Sequence, residues 1–219
     1  MKLQIILKTP KPSSAITFTP KPLLIPSRPA RVLDLDLENR PLSYLGSDFT
    51  TSEVTALAWA WSDNPEHVTC YLLGETDPVE ILQAFLVAYN QADIVTGHFL
   101  KGHDLPILNG ALMEYGLPAL GDKRVCDTKL DLIPRKGLSM SQESLGAMFR
   151  LDRPKVHMDQ AKWRSANRLT PEGRQLARER VIGDVRQHIE LRKKLLERGY
   201  LNHPKIWRSS TAKVEAYFP

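Results

Sequence analysis

Cysteine is nearly absent from this 219-residue chain: Cys70 and Cys126 stand far apart and in no metal-binding spacing. That argues against a disulfide framework and against a zinc site built from paired thiols. Two reduced, buried thiols suit a cytosolic protein. Long hydrophobic runs are missing too, with nothing approaching the roughly 18 consecutive apolar residues that read as a membrane span. At the start, Met1-Lys2-Leu3-Gln4-Ile5-Ile6-Leu7-Lys8 places a second lysine before any signal-peptide core forms, and no small-residue cleavage site follows. A cytoplasmic protein with no membrane partner is expected. No internal repeat is visible.

What is present is ordinary for a soluble domain: 42% hydrophobic and 25% charged residues. The length suits one core with short appendages. A net charge of +5 and a pI near 9.2 favour an anionic partner without identifying one.

The chain divides into three parts: a Pro/Lys-rich N-terminal arm over residues 1–29, a folded domain over 30–200 and a C-terminal tail over 201–219. In the arm, Pro10, Pro12, Pro20, Pro22, Pro26 and Pro29 alternate with Lys8, Lys11, Lys21 and Arg28. Proline fixes φ and removes a donor, so the arm reads as extended, with an edge strand at Leu3–Leu7 as an option. It is either a surface-hugging leader or a basic arm touching nucleic acid. Within the domain, Val32–Glu38 alternates as a strand with acids on one face and leucines on the other. Val54–Trp61 and His67–Leu73 follow as strands around the turn Ser62-Asp63-Asn64-Pro65. Trp59 and Trp61 share a face with Leu57 and read as core or sheet-covering residues. Asp77-Pro78-Val79-Glu80 opens a helix with Val79, Leu82, Phe85, Leu86 and Tyr89 at helical spacing. Asp93–His98 and Arg124–Asp127 are strands, and Leu105–Tyr115 is a helix. Ser141–Phe149 and Met158–Asn167 are short helices, and a long one runs from Thr170-Pro171 to Gly199. The order predicts an α/β fold, a mixed five-stranded sheet flanked by helices. The tail carries Trp207 and Tyr217-Phe218, which can dock on the domain or on a partner.

Four acids stand out once placed on these elements. Asp36 and Glu38 are two apart on a strand and leave the same face. Asp104 stands at the start of a helix. Asp184 lies in the long helix among Val181, Ile182, Val185 and Ile189. Clustered carboxylates supply the oxygen ligands hard cations take. Two Mg²⁺ or Mn²⁺ ions about 3.5–4 Å apart neutralise charge on both oxygens of a phosphodiester undergoing hydrolysis. Taken alone, Asp36 and Glu38 read as a solvent-facing strand end.

In order and spacing, these segments resemble the 3′–5′ exonucleases of the DEDD type, which share the ribonuclease H-like fold. The likeness extends to the proofreading domains of family B DNA polymerases and to stand-alone phage and archaeal enzymes. The first motif corresponds to Val32-Leu33-Asp34-Leu35-Asp36-Leu37-Glu38. The second corresponds to Gly97-His98-Phe99-Leu100-Lys101-Gly102-His103-Asp104-Leu105-Pro106, and the third to Val181-Ile182-Gly183-Asp184-Val185. Val125-Cys126-Asp127-Thr128 resembles the strand between the last two motifs. The likeness runs from about Arg31 to Gly199 and includes Gly137–Gly146, Lys155–Met158 and Trp163. It implies Asp36, Glu38, Asp104 and Asp184 as ligands of two Mg²⁺ or Mn²⁺ ions, with Asp34 the competing ligand.

The chain departs from the family at several positions. Where the family has a tyrosine four residues before its last acid, or a histidine five before, this chain has Arg180 and Glu179. Arginine is no base, but it can bind a phosphate bidentately. Phe99 replaces an asparagine and His103 an aromatic residue. Water activation then falls to the cations, or to His98, His103 or His188. His188 is one turn past Asp184, which makes it either catalytic or a satisfied polar group on the helix flank. His98, Phe99, His103 and Trp163 are candidate substrate contacts. His98 shapes the cleft, His103 fills a packing slot, and Trp163 stacks on a base between Lys162 and Arg164 or else packs. His157 reads as surface.

The expectation is a metal-dependent 3′–5′ exonuclease acting on DNA, single-stranded 3′ ends foremost and RNA an option. Replication or repair is the setting, and a separate polymerase or replication protein is a candidate partner. The rival readings are an inactive nucleic-acid-binding relative, supported by Arg180, and a structure-specific endonuclease of the same fold.

Overall fold

Alternation of size sets the architecture. Strand β2 (Ser52–Trp61) places Leu57, Trp59 and Trp61 on one face and Ala56, Ala58 and Ala60 on the other. The large face receives bulky helices, and the small face lets one long helix approach closely. A computed structural model of the protein describes residues 28–42, 49–134, 136–152 and 156–208. The sequence reading of an extended arm, its Leu3–Leu7 strand and the docking of Tyr217-Phe218 fall outside the described residues.

The remaining elements are β1 (Val32–Pro41), β3 (Val68–Leu72), α1 (Pro78–Gln91), β4 (Ile94–Gly97), α2 (Asp104–Glu114) and β5 (Lys123–Asp127). After them come α3 (Gln142–Phe149), α4 (Gln160–Asn167), α5 (Pro171–Glu197) and β6 (Lys205–Trp207). The sheet order is β3-β2-β1-β4-β5-β6. β1 pairs antiparallel with β2 and parallel with β4, β4 is parallel to β5, and β6 closes the edge antiparallel to β5. This is the mixed α/β sheet of a ribonuclease H-like fold, with a sixth strand beyond the five expected. β6 lies within the segment read as a tail, so residues 205–207 form the sheet's edge, and Leu201 of the same segment makes an isolated bridge to Leu132.

Two layers cover the sheet. On one side Leu33, Leu35, Leu37, Leu57 and Trp59 pack against Ile81, Leu82, Phe85 and Tyr89 of α1 and Leu105, Leu108 and Leu112 of α2. The buried stripe of α1 is thus rotated from the one expected, since Val79 and Leu86 are only partly buried. Asp77 caps this helix by accepting from Val79 N at 2.9 Å. On the other side α5 lays Ala177, Val181 and Val185 on the alanine face of β2. The acids of β1 therefore point toward α5, which carries Asp184. No helix among the described residues is long and apolar enough to cross a membrane.

Candidate metal centre

Beneath α5, the three acids of β1 divide between two surroundings. Asp34 is fully buried. Arg192 grips its carboxylate through Nε at 2.9 Å and a terminal nitrogen at 3.1 Å, Ser62 donates to it, and His188 Nε2 lies 3.4 Å away. Burial alone would raise this carboxyl. The His188 hydrogen bond and the Arg192 charge prevail and hold it below the ordinary carboxylate value. Asp36 and Glu38 are half-buried farther along the strand, and the register with β2 shifts between Glu38 and Asn39. A bulge at that point re-aims the neighbouring side chain and is a common feature beside functional sites.

Asp36, Glu38 and Asp184 come together, each offering a carboxylate oxygen within 4.8 Å of the others. Oxygens sharing one cation at about 2.0–2.6 Å lie within roughly 4–5 Å of each other, so the donor set and its spacing fit a hard divalent ion. Asp104 lines the same cleft, of about 170 Å³, at the first position of α2. Its carboxyl is raised, chiefly by burial. His103, whose Nδ1 lies 3.8 Å from the carboxylate, and the backbone amides of Asp104 and Leu37 pull the other way. The His103 imidazole is correspondingly raised by Asp104.

The loop between β4 and α2 is shaped by Asp127, which sequence reasoning quoted but gave no role. This buried carboxylate accepts from Phe99 N at 3.1 Å and from Lys101 N, Lys129 N and Leu130 N at 2.9 Å each. Lys101 in turn reaches Asp131 at 2.7 Å. Phe99 sits at φ +67°, a left-handed conformation that asparagine adopts more readily than phenylalanine, and the Lys129 ammonium lies 3.9 Å over its ring. Gly97 lets the end of β4 lie close against β1, since a Cβ there would stand 3.0 Å from Leu35 O. Gln142 was also missed. Its Nε2 donates to Asp184 O at 2.9 Å and ties α3 to α5 at the site.

The other candidates are placed as follows. His98 lines the cleft and shares a hydrogen bond with Thr128 Oγ1 at 3.0 Å, and Phe99 and His103 line it too. His188 is turned elsewhere: it is 1% exposed, and its ring nitrogens meet Thr96 Oγ1 at 3.0 Å and Thr128 Oγ1 at 3.3 Å. Its ring is thus enclosed in the polar layer with Asp34, and it is not among the cleft-lining residues. Arg180 enters the acid cluster, with Nε 2.6 Å from Glu38 Oε1 and a terminal nitrogen 3.8 Å from Asp184 Oδ2. Trp163 stands behind it, the guanidinium lying 5.0 Å from the ring centroid, and both border an adjoining pocket with His157 and Met158.

No family model and no curated protein matches the chain. Among solved structures, the family B DNA polymerase from the hyperthermophilic archaeon Pyrobaculum calidifontis is similar at a TM-score of 0.59 and 19% identity. The match covers 77% of this chain and 25% of the polymerase, a likeness of fold over about a quarter of that protein's length.

Proposed function

We propose that this protein is a metal-dependent nuclease that removes nucleotides from the 3′ ends of DNA, single-stranded ends foremost. The observation carrying this reading is the convergence of Asp36, Glu38 and Asp184 on one cleft lined also by Asp104. The ribonuclease H-like sheet and the similarity to a DNA polymerase support it at the level of fold. Divalent cations, when bound, would supply charge neutralisation for the attacking and leaving oxygens of a phosphodiester. Asp36, Glu38 and Asp184 would hold them, with Asp104 closing the cleft from the α2 side. His98 and His103 border the space where the scissile phosphate would lie, and His103, raised by Asp104, is placed to offer a proton. Trp163 and Arg180 flank the neighbouring pocket, where an aromatic face and a cation suit a single strand.

Digestion of end-labelled single-stranded DNA and RNA with Mg²⁺, Mn²⁺ or EDTA tests the proposal. Stepwise loss from the 3′ end, abolished by EDTA and by Asp36→Ala, is expected. Internal cuts would favour a structure-specific endonuclease. The pairing of Arg180 with Glu38 favours a second reading, a nucleic-acid-binding relative without turnover. That reading predicts no products with any metal and a gain of activity in Arg180→Tyr.

A further inference from the structure

Arg180 brings a positive charge of the chain's own into the acid cluster, and it is held there from several sides. Its Nε donates to Glu38 Oε1 at 2.6 Å, one terminal nitrogen donates to Val156 O at 2.8 Å, and the other lies 3.8 Å from Asp184 Oδ2. The guanidinium also faces the Trp163 ring, and the side chain is only 14% exposed. A guanidinium stays charged at every ordinary pH. A divalent ion on Glu38 would share its carboxylate with the guanidinium and would sit against a fixed positive charge of the same sign. Asp184 Oδ2, at 3.8 Å, lies farther from the guanidinium than Glu38 Oε1, at 2.6 Å, and Asp36 and Asp184 each offer an oxygen within 4.8 Å of the other's.

On the metal-nuclease reading above, we propose that Arg180 fills the Glu38 side of the site as a built-in cation. Without nucleic acid the protein then takes up one divalent ion, on the Asp36–Asp184 side, where four acids would otherwise call for two. Arg180 thereby sets the metal stoichiometry of the resting protein.

Titration of the full chain with Mn²⁺ tests this, free ion being followed by electron paramagnetic resonance and binding heat by calorimetry. Wild type should bind one Mn²⁺ per chain and Arg180→Gln two, far-UV circular dichroism confirming that the variant is folded. Glu38→Gln should still bind one, since the occupied side does not depend on that carboxylate. Two ions in wild type, one in a folded Arg180→Gln, or none in Glu38→Gln would overturn the inference and leave the metal site standing. No Mn²⁺ bound by wild type or Arg180→Gln would instead remove the metal-nuclease reading itself.

Discussion

Asp34 and Asp36 are neighbours on the same face of β1, yet one is sealed in an ion pair and the other reaches the cleft. The difference lies in α5, which sets Arg192 and His188 over Asp34 and, one turn before His188, Asp184 near Asp36. Because Asp34's folded carboxyl is held below its unfolded value, it stabilises the fold above about pH 4 and loses that contribution as pH falls through the folded value. Arg192→Met leaves that carboxylate buried without its main cation, a loss of about 3–5 kcal/mol at pH 7. In the variant, Asp34 protonates more readily, so the gap to wild type should narrow at pH 4. Urea denaturation at both pH values measures it, and an equal gap at each would show that the ion pair is not the cause. Asp104 has the opposite sign. Burial raises its carboxyl, so the charged form weighs against the fold increasingly as pH rises from the unfolded value through the folded one. Asp104→Asn should melt higher than wild type in EDTA at neutral pH while losing hydrolysis. A lower melting temperature would mean that its hydrogen bonds outweigh its burial.

Helix α5 organises the site because it crosses the sheet from β3 to β5, and its start is fixed by a crossing with α4 that only glycine permits. A Cβ on Gly173 would stand 2.1 Å from Ser165 O and 2.6 Å from Ala166 N, both backbone atoms. Thr170 caps the helix by accepting from Gly173 N at 3.0 Å and meets Ser165 Oγ at 2.6 Å. Gly173→Ala should therefore destabilise by about 1–3 kcal/mol from the clash, in spite of alanine's roughly 1 kcal/mol advantage within a helix. It should also shift α4, which carries Trp163 toward Arg180. A urea midpoint at or above wild type would refute so tight a crossing. Such a contact is invisible in sequence, where Gly173 is only an unfavourable residue near a helix start. The helix itself was legible from Thr170-Pro171 and from the apolar spacing of Val181 and Val185, as was β1 from its alternation. What pattern could not supply was contact across long separations. Nothing local says that Arg192 takes Asp34 and His188 from the cleft, that Arg180 takes Glu38, or that Asp127 anchors the loop before Asp104. Residues 205–207 lacked a strand's length, and their partner β5 supplies the pairing that a three-residue segment cannot show alone.

At the scale of the molecule, a net charge of +5 coexists with a cleft crowded by carboxylates. On the proposed function, the net positive charge would attract nucleic-acid phosphates, and the cleft would repel them until cations neutralise it. Binding of single-stranded DNA by an inactive Asp36→Asn protein should weaken linearly in log salt, by about 0.7 per phosphate contacted, and vary little with base sequence. Filter binding checks this, and a strong preference for one short sequence would favour a different function. The same crowding links metal to folding. An ion held by Asp36 and Asp184 requires the geometry that only the fold creates, since β1 and α5 are far apart in sequence. Mn²⁺ at about a hundred times its dissociation constant should then add roughly 2.7 kcal/mol per bound ion. For a chain of this size that corresponds to a melting temperature raised by about 5–10 °C. Asp36→Asn and Asp184→Asn should each remove most of the rise, whereas Asp131→Asn, outside the cleft, should keep it. Scanning calorimetry with and without Mn²⁺ decides the matter. A shift of equal size in all four proteins would place the ion elsewhere, and no shift in wild type would mean that these carboxylates do not hold a metal.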